Sequence, residues 1–196
     1  MAGIKGLPGP CESADPLGYL VTELVRRMCD AIAVHEAYKQ GDLERLKALL
    51  GNPPDFPNCH GPRGVGEIIL EYAIYHSPIA FVRTLLELGA DPNYEDNAGF
   101  PSLLAALSSQ RPETYEIVEL LLRFGADVQQ RGVNDYTPLH LAAAMNDANL
   151  VRILLSHGAD TNARTRIDDF TTPLEEAEKR SSLDAVKILR ETKERR

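Results

Sequence analysis

The chain has 196 residues, of which 43% are hydrophobic, 26% charged and 6% aromatic, with no tryptophan; this is the composition of a globular protein and excludes a wholly disordered one. Twenty-one Lys and Arg against 29 Asp and Glu give a formal net charge of -8, which argues against a polyanion such as DNA as the main partner and points to a protein partner with a basic surface. The three cysteines, Cys11, Cys29 and Cys59, are odd in number and widely spaced, so they read as reduced thiols of a cytoplasmic protein and not as a disulfide framework or a Cys-x-x-Cys zinc site.

From the N-terminus, Met1 to Pro16 is rich in Gly and Pro and lacks the apolar run of an export signal, so residues 1–16 read as a flexible leader and 17–196 as one domain. No later apolar run approaches the roughly 20 residues that span a bilayer. Leu17, Leu20, Val21, Leu24, Val25, Met28 and Ile32 recur at helical spacing and predict a long amphipathic helix that caps the first of several repeated units. Leu43 to Leu50, after Gly41-Asp42, predicts a short second helix. Gly51 to Gly66, with four prolines and Cys59-His60, predicts an irregular loop of the kind that often carries function.

Beyond that loop the chain repeats itself. Gly89-Ala90-Asp91-Pro92-Asn93, Gly125-Ala126-Asp127-Val128 and Gly158-Ala159-Asp160-Thr161-Asn162 succeed one another at nearly even spacing. Each closes a leucine-rich segment: Phe81 to Leu88, Ile117 to Phe124, Leu150 to His157. The glycine can take the left-handed conformation that ends a helix, and the Ala-Asp after it suits a turn. The apolar residues of Leu150 to Leu155 surround much of the cylinder, so such a helix needs neighbours on two sides.

Upstream of the third segment stands Thr137-Pro138-Leu139-His140-Leu141-Ala142-Ala143, in which Thr137 can cap a helix, Pro138 is tolerated in its first turn and the alanines admit a close neighbour. The order and spacing of Thr-Pro-Leu-His, the alanines, the second helix and the Gly-Ala-Asp turn resemble the ankyrin repeat. Pro101 to Ala106 and Thr172 to Ala177 are degraded copies standing where Pro138 to Ala143 and Thr137 to Ala142 stand, and Ile68 to Ala73 is weaker still. The resemblance implies an all-α solenoid of about five helix-turn-helix repeats, near 17–50, 66–91, 99–127, 135–160 and 170–195, with projecting hairpins. Both ends are expected to turn a polar face outward, because a terminal repeat has one uncovered side.

A search for catalytic constellations returns little. Gly61-Pro62-Arg63-Gly64-Val65-Gly66 lacks the Gly-Lys-Ser/Thr ending of a phosphate loop and follows no expected strand. Cys59 and His60 with Asp55 would host a metal or an enzyme activity only by converging in one pocket, and adjacent ligands rarely do so. The resemblance gives His140 a structural part, hydrogen bonding within and between repeats. The reading is therefore a non-catalytic protein-binding module, an adaptor or an inhibitor, without cofactor or metal and monomeric.

The same resemblance implies that binding uses the concave face and the hairpin tips. Phe100, Tyr136 and Phe170 recur at close to the repeat period on three tips and either form contacts to the partner or pack against neighbouring hairpins. Arg131, Asn134 and Arg166 accompany them; Tyr75, His76, Ser109, Met145 and Asn146 line the inner helices. A separate reading makes the protein a substrate of asparagine hydroxylation at Asn93 and Asn162, the turn asparagines that some ankyrin proteins have modified.

Overall fold

The computed structural model describes residues 16–60, 68–94, 101–132, 135–166 and 170–194, with side chains from residue 24 onward. The expected leader, the 61–66 glycine segment, Phe100 and Asn134 lie outside them.

Ten helices occupy the described residues. They form pairs: α1 (Pro16–Gln40) with α2 (Leu43–Leu49), α3 (Ile69–His76) with α4 (Ile79–Glu87), α5 (Ser102–Ser108) with α6 (Thr114–Arg123), α7 (Pro138–Ala144) with α8 (Ala148–Ser156), and α9 (Pro173–Lys179) with α10 (Leu183–Glu194). The first helices touch in the order α1, α3, α5, α7, α9, and the second helices α4, α6, α8, α10 do the same, so the molecule is a two-layered stack. It is an all-α solenoid; β structure among the described residues amounts to an isolated bridge between His60 and Ile68. No helix of the described residues is long and apolar enough to cross a membrane.

Local chemistry sets these boundaries. Thr137 and Thr172 cap α7 and α9, each with Pro at the first helical position and a capping box closed by His140 or Glu175. Gly89, Gly125 and Gly158 have φ of 92°, 88° and 86°, the left-handed stop that turns the chain toward the hairpin. The stop is then fixed by an Asp two residues on, whose carboxylate accepts the backbone N–H of Asn93, Gln129 or Asn162 at 2.8 to 2.9 Å.

One continuous core runs through the stack, from Val34 and Tyr38 through Ile69, Ile74, Leu85, Leu107, Leu121, Leu139 and Leu154 to Leu189. Ala73, Ala106, Ala142 and Ala177 recur fully buried on the first helices and let consecutive helices approach closely. The C-terminal end follows expectation: α10 buries Ala185 and Leu189 and exposes most of its charged residues.

The N-terminal end does not. Leu24, Val25, Met28 and Ile32, expected to cap the first pair, are exposed, and α1 docks through Val34, Ala37 and Tyr38 instead. The physical reason is length: 25 residues rise about 37 Å, several turns more than the seven-residue α2 or the eight-residue α3 can cover. The upstream turns therefore overhang the stack.

Candidate functional site

The junction between the fourth and fifth pairs is built around His140. Its imidazole is fully buried, Nδ1 lies 2.8 Å from the Thr137 hydroxyl and accepts the Thr137 backbone N–H at 3.3 Å, and Nε2 meets the Thr171 carbonyl at 3.0 Å. A carbonyl can only accept, so Nε2 carries the proton. Burial pushes the imidazole's pKa down, only partly offset by the bond to Thr171, which favours this neutral form. His140 thus ties the start of α7 to the segment before α9, the structural part that the resemblance implies.

Tyr136 belongs to the same junction. Its ring lies 5.5 Å from that of His140, and its hydroxyl hydrogen bonds with Glu176 and Arg180 of the next pair. Burial, then the Glu176 carboxylate, raises its pKa. Glu176 is itself buried, and burial works to raise its pKa, but the bonds from Arg180 and Tyr136 outweigh that and hold the carboxyl below its ordinary range. Tyr136 is half-buried, with its polar end spoken for inside the stack.

Phe170 is placed differently. Thr172 caps α9 as Thr137 caps α7, so Thr171 occupies the place of Tyr136 and Phe170 that of Asp135. Asp135 and Phe170 share a left-handed backbone, φ 60° and 51°. The phenyl ring is 58% exposed, an uncommon conformation and environment for so large an apolar side chain. The near-periodic recurrence of the two rings in sequence hides a one-residue slip, which turns Tyr136 toward the next pair and leaves Phe170 exposed on its tip.

Arginines knit the tips together. Arg131 donates to the Asp135 carbonyl and carboxylate at 3.1 and 2.7 Å and to the Arg164 carbonyl at 2.8 Å, linking consecutive hairpins. Arg164 reaches the Phe170 carbonyl at 2.7 Å and the Glu175 carboxylate. Arg166, largely exposed, approaches Asp135 at 3.7 Å. Arg131 is therefore mainly a brace, whereas Arg166 presents its charge to solvent.

Along the first-helix row, Tyr75 is half-buried, His76 exposed, Ser109 half-buried and Met145 38% exposed. His76 sits among rings, 4.4 Å from Tyr72 and 5.1 Å from His35, while Arg111 donates to the Ile74 and Ser77 carbonyls at 2.7 Å each. Partial burial, then His35 and Arg111, lower its pKa. Asn146, expected to line the same surface, is exposed, with its amide engaged by the next helix pair. Its Oδ1 accepts the Asp184 and Ala185 N–H groups at 3.0 and 3.2 Å, satisfying the open N-terminus of α10.

A further set of residues is not evident from the sequence. Asn58 donates to the Gly89 carbonyl at 2.9 Å and accepts from Asp91 N–H at 2.7 Å. Asn93 repeats both contacts one pair later, with Gly125 at 2.8 Å and Asp127 at 2.6 Å, and Gln129 reaches Gly158 at 3.1 Å. These amides form a ladder along the hairpin bases, continued in position by the exposed Asn162. Asn93, one of the two expected modification sites, has both ends of its amide engaged. The recurring turn asparagine is visible in sequence; its partner in the following turn is not.

In the proline-rich loop Cys59 is buried, and burial, then the Asp55 charge, raises its thiol pKa, the opposite of what a nucleophile or metal ligand requires. His60 is exposed, 6.3 Å from the Tyr94 ring. No group of three His, Cys, Asp or Glu able to hold a metal occurs among the described residues.

A family model described as ankyrin repeats (3 copies) matches residues 34–131 and 103–195. The chain is 33% identical over 110 residues to an alpha-latrocrustotoxin of Latrodectus tredecimguttatus, covering 56% of this chain and 7% of that protein. It is 37% identical over 123 residues to a putative ankyrin repeat protein of Fowlpox virus, 62% of this chain and 35% of the relative. A putative E3 ubiquitin-protein ligase of Arabidopsis thaliana is 32% identical over 127 residues, 63% and 26% respectively. The chain thus spans about a third or less of the length of these relatives.

Proposed function

Because the chain belongs to the ankyrin-repeat family, whose repeats are generally protein–protein interaction modules, we propose that it is a non-catalytic adaptor or inhibitor that binds a partner protein in the cytoplasm through its first-helix face and hairpin tips. Phe170 is the observation that carries this reading: a large ring, 58% exposed, held in a left-handed backbone by the bond from Arg164 to its carbonyl. An exposed aromatic on a braced support is the kind of residue that anchors an interface. Tyr75, His76 and Met145 on the helices and the exposed Arg166 extend the surface, and Phe100 and Asn134, outside the described residues, are assigned to it from the sequence alone. Tyr136, Arg131 and Asn146 hold it in shape. The net charge of -8 favours steering of a partner with a basic surface. The free thiols at Cys29 and Cys59 accord with a reducing compartment.

The test separates contact from support. Phe170→Ala and Met145→Ala, compared with wild type by affinity capture and calorimetric titration, should each weaken binding by about 1 to 3 kcal/mol with an unchanged melting curve. Tyr136→Ala should lower the melting temperature as well. Unaltered binding by the Phe170 and Met145 variants would refute the assignment of this face.

A further inference from the structure

The overhang of α1 carries the largest unexplained apolar feature among the described residues. Leu24, Val25, Met28 and Ile32 are 60%, 53%, 57% and 61% exposed on one helix. At about 100° per residue these four fall within an arc of roughly 100°; His35, further along the helix in the same arc, bonds the Tyr72 hydroxyl at 2.9 Å, so the stack takes up this face only where the overhang ends. The four apolar side chains lie upstream of the docked turns at Val34, Ala37 and Tyr38 and are exposed for that reason. Contiguous exposed apolar surface of this kind marks an interaction site.

The helical register says what covers it. Leu17 and Val21 occupy positions in the same arc, so the stripe runs from Leu17 to Ile32, about 23 Å, and no charged position falls within it. We propose that α1 pairs antiparallel with α1 of a second copy of this chain, about a two-fold axis between Leu24 and Val25. In that register Leu17 stands opposite Ile32 of the other copy, Val21 opposite Met28 and Leu24 opposite Val25, so every apolar position of the stripe meets an apolar one. Self-complementarity under a two-fold is the requirement of an isologous interface.

Charge sets the direction. Beyond Ile32 the same arc carries Glu36 at its border and Lys39 near its centre. A parallel pair would set Lys39 beside Lys39 and Glu36 beside Glu36, which is repulsive, whereas the antiparallel pair carries these ends apart. Sterics agree, since the antiparallel register carries the two stacks to opposite ends of the paired stripe. A lipid surface suits the helix less well, because its polar side balances Arg26 and Arg27 with Glu23 and Asp30 where an anionic membrane calls for an excess of basic residues. The pairing is independent of the partner-binding face and departs from the sequence-based expectation of a monomer.

A single helix pair is at the low end of interface sizes, so a dissociation constant on the order of micromolar is expected. Sedimentation velocity of the full chain between about 1 and about 100 micromolar should show the mass rising from 21.6 kDa to twice that value. Met28→Glu, which buries a carboxylate against the apolar stripe, should abolish the dimer without changing the circular dichroism spectrum, because Met28 is exposed in the single chain. Adding Val21→Lys to Met28→Glu should restore it, since the register sets the two new charges opposite each other twice. Leu24→Cys with Cys11→Ser and Cys29→Ser should form a symmetric disulfide on oxidation. A wild type that stays monomeric throughout, a dimer indifferent to Met28→Glu, or a charge pair that fails to rescue overturns the proposal.

Discussion

The second and third helix pairs and the fifth are held by different physics, and the fourth combines the two, since α7 buries Pro138, Leu139, His140, Ala142 and Ala143 and also keeps its cap. In α3 and α5 the N-terminal positions, Ile68 and Pro101, make no side-chain cap. These helices are held by depth: α3 buries Ile69, Leu70, Glu71, Ala73 and Ile74, and α5 buries every residue from Ser102 to Leu107. In α9 the balance is reversed, since Pro173, Glu176 and Ala177 are buried, Leu174 is half-buried and the rest is open, yet Thr172 and Glu175 close its first turn. Stability in a stack is a sum of what each unit brings and what its neighbours add. An inner helix can lose its cap because neighbours cover it on both sides, whereas the last helix pair has neighbours on one side only and keeps its local bonds.

The contrast can be broken from either half. Largest in effect is Ile74→Ala or Leu107→Ala, each emptying a fully buried site in an uncapped helix, with an expected loss of about 2 to 5 kcal/mol in chemical denaturation. His140→Ala follows, at about 2 to 3 kcal/mol, because it strands the Thr137 N–H and the Thr171 carbonyl in a buried junction. It should loosen the fifth pair first, seen as faster amide hydrogen exchange in α9 and α10 than in α3 and α4. Thr172→Ala should cost about 1 kcal/mol, through the α9 cap.

Acid sharpens the same division and gives the smallest effect. His140 and His76 both have pKa values lowered by folding, so the unfolded chain binds more protons than the native one below the ordinary histidine value. The stability they contribute is present at neutral pH and declines as pH falls below about 6.5, and the share of the exposed His76 is small because solvent screens its surroundings. His76→Gln should remove part of the slope between about pH 6.5 and about pH 5, leaving the share of His140. A slope unchanged by that substitution would contradict the assignment of His76.

The stack itself is legible in the sequence because its signals are local: a glycine that ends a helix, a Thr-Pro that begins one, a leucine pair between them. Relations between units are not. The helical spacing of Leu24, Val25, Met28 and Ile32 correctly marks an apolar face but carries no information about which neighbour it meets, and the length of α1 turns it outward. Tyr136 and Phe170 read as equivalent because they recur at close to the repeat period, while the caps at Thr137 and Thr172 set the register and place the two rings one position apart. The bonds that Asn146 makes to the N-terminus of a helix 38 residues away are likewise not written in its own surroundings.

The amide ladder has a consequence for how such a chain can be inherited. From Gly89 to Asn93 is four residues, and from Gly51 to Asn58 is seven, yet Asn93 and Asn58 make the same two bonds to the following turn. The three extra residues are absorbed by the turn around Pro53, Pro54 and Pro57 and leave the lock untouched. Insertions at the hairpin base can therefore be accepted by descent whenever the chain still delivers an amide to the next turn, and the length of each unit is free to drift while that one chemical group is retained.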